Sequence, residues 1–294
     1  MSKRSVRELV EAVFDVPVSL GTVATLEQQT SAALADARDQ ARDAVREAPV
    51  KNADETGWKQ AGARRWLWTA ATTTVAFFVI HAQRGARGLK ALLGAAIVGI
   101  VISDRWSAYS GLPLEQRQVC WAHLKRDFQK CWERGGAGRV VGATGLIVVE
   151  DVFTLWWDFR QRRIDRETLG AKLEPLVEEL RGALERGSGG ADTKVVAFCD
   201  NLLALYPALW LFAGIEGVEP TNNHAERILR LGVLWRKNAF GCHSESGCRF
   251  VERVLTVVQT LRLQKRSVLS FLEESVIAHR LGIPAPALLV PKQD

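Results

Sequence analysis

Three carboxylates, Asp54, Asp104 and Glu226, stand in surroundings that suit metal chemistry, separated by 50 and 122 residues. Asp54 follows the short extended stretch Val50-Lys-Asn-Ala, and Asp104 ends the apolar run Val98-Gly-Ile-Val-Ile-Ser-Asp. Such a run reads as a fully buried strand, and groups at the carboxyl ends of strands face the ligand crevice of an open sheet. Each aspartate by itself equally suits a turn or a cap, and Asp104 would then close the turn before Trp106. Glu55 points to the opposite face of a strand from Asp54 and is excluded from the site. Glu226 lies in Pro220-Thr-Asn-Asn-His-Ala-Glu-Arg. Thr221 or Asn222 caps a helix there, with Ile228, Leu231 and Leu234 or Trp235 as its apolar stripe. Glu226 sits about 200° round that helix from Ile228, on a face shared with Asn222, Asn223 and Arg230. The plainer alternative is a surface Glu226–Arg230 pair worth about 0.3–0.5 kcal/mol. Together, three hard oxygen ligands suit Mg²⁺ or Mn²⁺. Two such ions held about 3.5–4 Å apart stabilise the attacking and leaving oxygens of a phosphodiester displacement.

The elements that must position these groups are legible as a change of period along the chain. Val6, Leu9, Val10 and Val13 keep helical spacing, Ser19 or Thr22 caps a second helix towards Leu34, and Ala32 to Glu47 forms a third that Pro49 ends. Helix, short turn, helix is compatible with a helix-turn-helix, though such pairs are more often packing units. Arg64 to Thr72 and Val75 to His81 are rich in aromatic and β-branched residues and read as an antiparallel hairpin. A short helix over Gly85 to Leu93, closed by Gly94, precedes the strand that ends on Asp104. Arg117 to Ala122 reads as a further strand and Leu124 to Trp132 as a helix. After the glycine-rich Gly135-Gly-Ala-Gly, helices follow over Leu146–Phe159, Arg166–Leu184 and Lys194–Tyr206, then over 221–238 and 248–280. The expected fold class is α/β, an α+β mixed sheet, interrupted by an all-helical insertion. The expected segments are a helical 1–48, a first part of the core at 49–134, the insertion at 135–215 and the last part of the core at 216–294.

Charge is unevenly distributed over the 294 residues. The net formal charge is +6. Residues 51–130 carry twelve basic and five acidic groups, net +7, and residues 221–294 are net +5. The block between them, 131–220, is net −4. If the two basic blocks fold together they make one positive surface suited to a polyanion; chance clustering on solvated faces gives the same counts. Apolar residues make up 47% and charged residues 24%, which excludes disorder and collagen-like repeats. Five cysteines, at 120, 131, 199, 242 and 248, include no Cys-x-x-Cys pair, and Met1 to Val10 is polar and charged. The expectation is a reduced, cytoplasmic protein. The longest uninterrupted apolar stretch, Ala91 to Ile102, is too short for a membrane span of about 20 residues, so no membrane partner is expected.

Five ordered blocks carry a specific resemblance. Asn52-Ala-Asp-Glu-Thr-Gly-Trp, Ser103-Asp-Arg-Trp-Ser-Ala-Tyr, Cys120-Trp-Ala-His-Leu-Lys-Arg-Asp-Phe, Asn222-Asn-His-Ala-Glu-Arg and Trp235-Arg-Lys-Asn-Ala-Phe-Gly resemble those of the bacterial transposases of insertion sequence sixty-six. These are DDE transposases with a ribonuclease H-like catalytic domain. The resemblance runs from about residue 3 to about residue 289, and implies that Asp54, Asp104 and Glu226 are the catalytic, metal-binding triad for Mg²⁺ or Mn²⁺, with two ions. It implies DNA as partner, both transposon ends and target, and a homo-oligomer assembled on DNA. Members of that family usually carry more sequence ahead of the part matched, including a DNA-binding segment, so this chain resembles a shortened member. Cys120-Trp-Ala-His123 is similar to a Cys-x-x-His element that follows the second Asp in several such enzymes. Two residues do not close a tetrahedral zinc site. Cys242, His243 and Cys248 would have to add ligands, and Cys120 as core with His123 as a polar group near the site is favoured. Arg105, Arg227, Arg236 and Lys237, beside the motif residues, are assigned to phosphate contacts, together with His123, Asn222 and Asn223. Two other readings compete: a metal-dependent nuclease without strand transfer, and a non-catalytic DNA-binding remnant.

Overall fold

In the computed structural model, residues 2–289 are described, and the chain divides into two compact units, Met1–Gly99 with His224–Asp294, and Ile100–Asn223. The architecture is mixed α/β, with antiparallel strands in the first unit and a parallel pair in the second.

The first unit opens with three helices, α1 (Lys3–Phe14), α2 (Leu20–Ala33) and α3 (Ala35–Glu47). Ser19 caps α2, its hydroxyl accepting from the Thr22 amide at 2.9 Å. Strands β1 (Val50–Gln60), β2 (Ala63–Ala71) and β3 (Ala76–His81) then form an antiparallel ladder in that spatial order. β1 is eleven residues long, well beyond the short extended stretch legible before Asp54. Its turn into β2 is Ala61-Gly62, both at positive φ (48° and 81°), the geometry of a two-residue hairpin turn that matches strand twist. Ala-Gly is a weaker signal for that turn than Asn-Gly, which is why β1 and β2 do not declare themselves as a hairpin. The β2–β3 turn is closed by Thr72, whose amide donates to Val75 O (2.8 Å) while its hydroxyl accepts from the Val75 amide (3.0 Å). Helix α4 (Ala86–Leu93) ends at Gly94 as the sequence predicts.

The second unit holds the parallel pair β4 (Ile100–Ser103) and β5 (Arg117–Val119), then α5 (Trp121–Glu133), α6 (Gly136–Arg160), α7 (Arg166–Ser188), α8 (Thr193–Ala204) and the single turn α9 (Leu211–Gly214). Here the expectations need correction. The glycine-rich stretch after Glu133 is not a loop; α6 begins at Gly136, ten residues before the predicted start. Its glycines serve close packing. A Cβ added at Gly142 would lie 2.3 Å from the backbone nitrogen of Trp132, and one at Gly145 would lie 2.2 Å from the Phe128 ring, so α6 and α5 approach almost backbone to backbone. Helix α7 likewise runs through Gly187 to Ser188, and α5 begins at Trp121 rather than Leu124. At 25 residues α6 is also long and apolar enough, by length and composition alone, to cross a membrane. Glu150 and Asp151 break its apolar run, so an uninterrupted count misses it. Seven of its residues, among them Val141, Val148, Val149 and Val152, are buried in packing.

The chain returns to the first unit with α10 (Asn223–Ala239), α11 (Glu245–Leu263) and α12 (Val268–Leu281). Ile228 and Leu229 of α10 and Val251 and Leu255 of α11 share one buried cluster with Trp58, Leu67, Ala71, Ala76 and Phe78 of the three strands. Helix α11 also completes the outer edge of β3. Thr260, Thr256 and Glu252 accept the amides of Ala76, Phe78 and Ile80 at 3.1, 3.1 and 2.6 Å. Side chains at i, i+4 and i+8 of a helix recur every ~6 Å, close to the ~6.8 Å between alternate strand residues, so one helix face stands in for a missing strand.

The expected reduced state fails at one place. Cys242 and Cys248 form a disulfide with Cα atoms 5.7 Å apart, while Cys120, Cys131 and Cys199 are buried thiols. An odd cysteine count does not forbid a local pair, and the turn between α10 and α11 folds these two together. The pairing removes both sulfurs from the zinc-ligand set that Cys120 and His123 would have needed.

Candidate active site

Within the first unit, alternation along β1 sorts the side chains. Asn52, Asp54, Thr56 and Trp58 share one face; Ala53, Glu55, Gly57 and Lys59 share the other. Trp58 belongs to the cluster formed with α10 and α11, so Asp54 is on the α10 face. Glu55 is where the sequence placed it, on the reverse face, 1% exposed at its side chain and paired with Arg84 (Nε to Oε1, 2.9 Å).

Helix α10 is fixed to the strands at both ends. Near its start, His224 Nε2 lies 2.7 Å from the main-chain oxygen of Thr72, just past β2. Near its end, Arg236 Nη1 donates to Thr56 Oγ1 (3.1 Å) and to the carbonyl of Gly57. Between them Gly232 meets β2 so closely that a Cβ would lie 2.4 Å from Leu67 Cδ2. Gln259 of α11 steadies the same helix, donating to Ile228 O at 2.7 Å. Ala71, next to Thr72, pairs with Asn52, so α10 starts at the Asn52 end of β1 and finishes at the Thr56–Gly57 end. Glu226, two residues after His224, therefore belongs to the end of α10 that lies at the Asn52 end of β1. Asp54 and Glu226 are both half-buried. Asp54 Oδ1 accepts the Glu55 amide at 2.8 Å.

The second unit carries Asp104, one residue past β4. Its Oδ1 accepts the Trp106 amide at 2.9 Å, the turn-closing bond that the sequence offered as the plainer role. Its carbonyl accepts from the buried Arg117 (Nη2, 3.1 Å). Burial lowers the Arg117 pKa, and the Asp104 carboxylate works against that shift. Cys120 joins β5 to α5: its amide donates to Ser103 O (2.8 Å), and its sulfur accepts the Asn222 amide at 3.1 Å. Trp121 N donates to Pro220 O at 2.8 Å. Two blocks a hundred residues apart, Cys120-Trp-Ala-His and Pro220-Thr-Asn-Asn, thus meet through one main-chain bond and one to the Cys120 sulfur, with Cys120 and Asn222 both buried. His123 lies half-buried in the first turn of α5.

The residues assigned to phosphate contacts divide into two groups. Arg105 spends its guanidinium internally, on Asp127 Oδ2 (Nε 3.1 Å, Nη2 2.7 Å) and Asn201 Oδ1, with its Cζ 5.4 Å from the Phe198 ring centroid. Arg236 is the strand anchor just described. Asn223, Arg227 and Lys237 are exposed. Sequence reasoning singled out neither His224 nor Arg236 as an anchor, because both roles depend on strands more than 150 residues distant.

Among the described residues no three His, Cys, Asp or Glu side chains form a group that could hold a metal. The carboxylates of Asp54 and Glu226, both in the first unit, fit a hard divalent cation in kind.

The chain matches the model of the transposase IS66 family over residues 3–249 and belongs to that family. It is also 25% identical over 244 residues to the uncharacterized protein y4qI of Sinorhizobium fredii (strain NBRC 101917 / NGR234), a match that covers 76% of this chain and 45% of that relative. The chain thus spans about half the length of that relative.

Proposed function

We propose that the chain acts as a DDE-type DNA transposase. In this reading its catalytic core is ribonuclease H-like, and Asp54, Asp104 and Glu226 hold two Mg²⁺ or Mn²⁺ ions. When bound, those ions supply charge for activating water and stabilising the leaving 3′-oxygen of a phosphodiester. The observation that carries the reading is that α10, which bears Glu226, runs along β1, which bears Asp54, in a chain of a transposase family. The protein's own part is positional. His224 and Arg236 hold α10 in register with β1, so the carboxylates are fixed before DNA arrives. Asn223, Arg227 and Lys237, exposed on α10, fix the phosphate backbone without reading bases. Water first frees a 3′-hydroxyl at a transposon end, and that hydroxyl then attacks target DNA. Assembly on DNA as a homo-oligomer and a cytoplasmic location belong to the same reading.

The test is metal-dependent cleavage and strand transfer on a transposon-end duplex, comparing the wild type with Glu226→Gln. Gln keeps the shape and loses the anionic ligand. Loss of both activities in a folded variant supports the assignment; equal cleavage by the variant removes Glu226 from the site. Cleavage by the wild type without joined products leaves a nuclease, and binding without cleavage leaves a DNA-binding remnant.

A further inference from the structure

The reverse face of the same three strands carries a cationic surface that the catalytic reading does not use. Register fixes its members. On β1 they are Glu55, Gly57 and Lys59; their partners on β2 are Trp68, Trp66 and Arg64; His81 on β3 is opposite Trp66. Lys59 and Arg64 are both exposed and stand directly opposite each other. Like charges in that position destabilise a sheet, so the pair does not serve the fold. Trp66, half-buried, gathers two guanidinium groups: the Cζ atoms of Arg64 and Arg84 lie 4.8 and 4.9 Å from its ring centroid. Stacking on an indole holds a guanidinium in place while leaving its N–H edge available for a phosphate oxygen. The carboxylate in this register, Glu55, is shielded from solvent and bonded to Arg84. Lys59 and Arg64 therefore present positive charge towards solvent, while Arg84, paired with Glu55, flanks the indole from the other side.

We propose that this face, formed by Lys59 and Arg64 beside Trp66, is a phosphate-backbone platform for duplex DNA, on the side of β1 away from Asp54. It rests on the transposase reading for its ligand and adds a second DNA surface to it. A chain that joins one DNA to another has to hold duplex beyond the phosphodiester it cuts, and a platform behind the catalytic strands gives it a place to do so. Lys and Arg neutralising phosphates release counterions, and each contact adds about 0.9 to the slope of log affinity against log salt.

The experiment is a salt titration of binding to a random-sequence duplex by the wild type, Lys59→Gln/Arg64→Gln, Arg64→Glu, and the control Lys172→Gln/Lys194→Gln, whose exposed lysines lie in the other unit. Thermal melts accompany it. The platform predicts a slope shallower by about 2 for the first double variant and an unchanged slope for the control. It also predicts melting temperatures no lower than wild type, because a repelling pair has been removed. Arg64→Glu sets a Lys–Glu pair across the strands, so it should melt higher and yet bind more weakly. A first double variant with wild-type slope and affinity overturns the platform while leaving the transposase reading intact. A wild type with no salt-dependent DNA binding overturns both. Equal losses in variant and control reduce the effect to net charge and also overturn the platform.

Discussion

His224 Nε2 lies 2.7 Å from the main-chain oxygen of Thr72, across 152 residues of chain. The bond joins the first turn of α10 to the end of β2 two residues before Glu226. With Arg236 at the far end of α10, it sets the helix along β1 at two points about 18 Å apart. These two bonds oppose a rotation of α10, and with it a displacement of Glu226.

His224→Ala is accordingly expected to cost metal-dependent cleavage more than stability. Loss of one neutral hydrogen bond lowers stability by about 1 kcal/mol, while a misplaced carboxylate lowers kcat by about 10²-fold. His224→Gln, which keeps a donor on a side chain of similar reach, should recover most of the loss. Denaturation curves and kcat measured beside KM give the check, along with Mn²⁺ affinity by titration. A fall in stability matching the fall in rate, without recovery in the Gln variant, would make His224 a purely structural residue.

Thr256→Val tests how α11 closes the β3 edge. Thr256 and Phe78 are fully buried, and the hydroxyl accepts the Phe78 amide at 3.1 Å. Valine keeps the volume and leaves that amide without an acceptor, a cost of about 1–3 kcal/mol. Urea unfolding should show a lower midpoint with an unchanged m-value. A midpoint equal to wild type would mean that the edge amide finds another partner at no cost.

These two bonds also mark where the sequence stops being informative. Ser19 as a cap, the Thr72–Val75 turn and the alternation that separates Asp54 from Glu55 all depend on neighbours within a few residues, and each is visible in the chain. The helix bearing Glu226 shows because its apolar stripe is periodic. Thr256 and Thr260 read as ordinary helix positions, since their partners are amides of a strand 180 residues upstream. Gly142 and Gly145 mislead for a related reason. Glycine marks a loop by local propensity, and only the approach of α5 turns it into a packing surface. Among the site residues the local context of Asp104 was ambiguous, and its bond to the Trp106 amide realises the turn role without consuming the second carboxylate oxygen.

Lys51 makes stability depend on pH in a defined window. It is 1% exposed, and its Nζ donates to Arg46 O at 2.7 Å and Val98 O at 2.8 Å, closing the end of α3. Burial pushes its pKa down from 10.5 to about 8. Between those values the unfolded chain binds the proton and the folded chain does not, so stability rises with pH across that range. The gain is complete above 10.5 and lost as pH falls through about 8; its ceiling is about 3 kcal/mol. Lys51→Met should flatten the rise when unfolding is followed from pH 7.5 to 10.5. Parallel curves for wild type and variant would show that Lys51 does not titrate abnormally.

A pair of glycine substitutions separates packing from propensity. Gly142 and Gly170 both lie inside helices, α6 and α7. At Gly142 a Cβ would sit 2.3 Å from Trp132 N and 2.6 Å from its Cα, and main-chain atoms of α5 have no rotamer into which to retreat. At Gly170 nothing lies within 4 Å of the new carbon. Gly170→Ala is therefore expected to stabilise by about 0.5–1 kcal/mol, through helix propensity and a less disordered unfolded chain. Gly142→Ala gains the same propensity term but must push α5 and α6 apart, costing about 1–3 kcal/mol or more. The melting temperatures of the two variants should move in opposite directions. A stabilised Gly142→Ala would mean that α6 does not lie against α5 as described, and that the glycine-rich stretch after Glu133 is governed by local sequence after all.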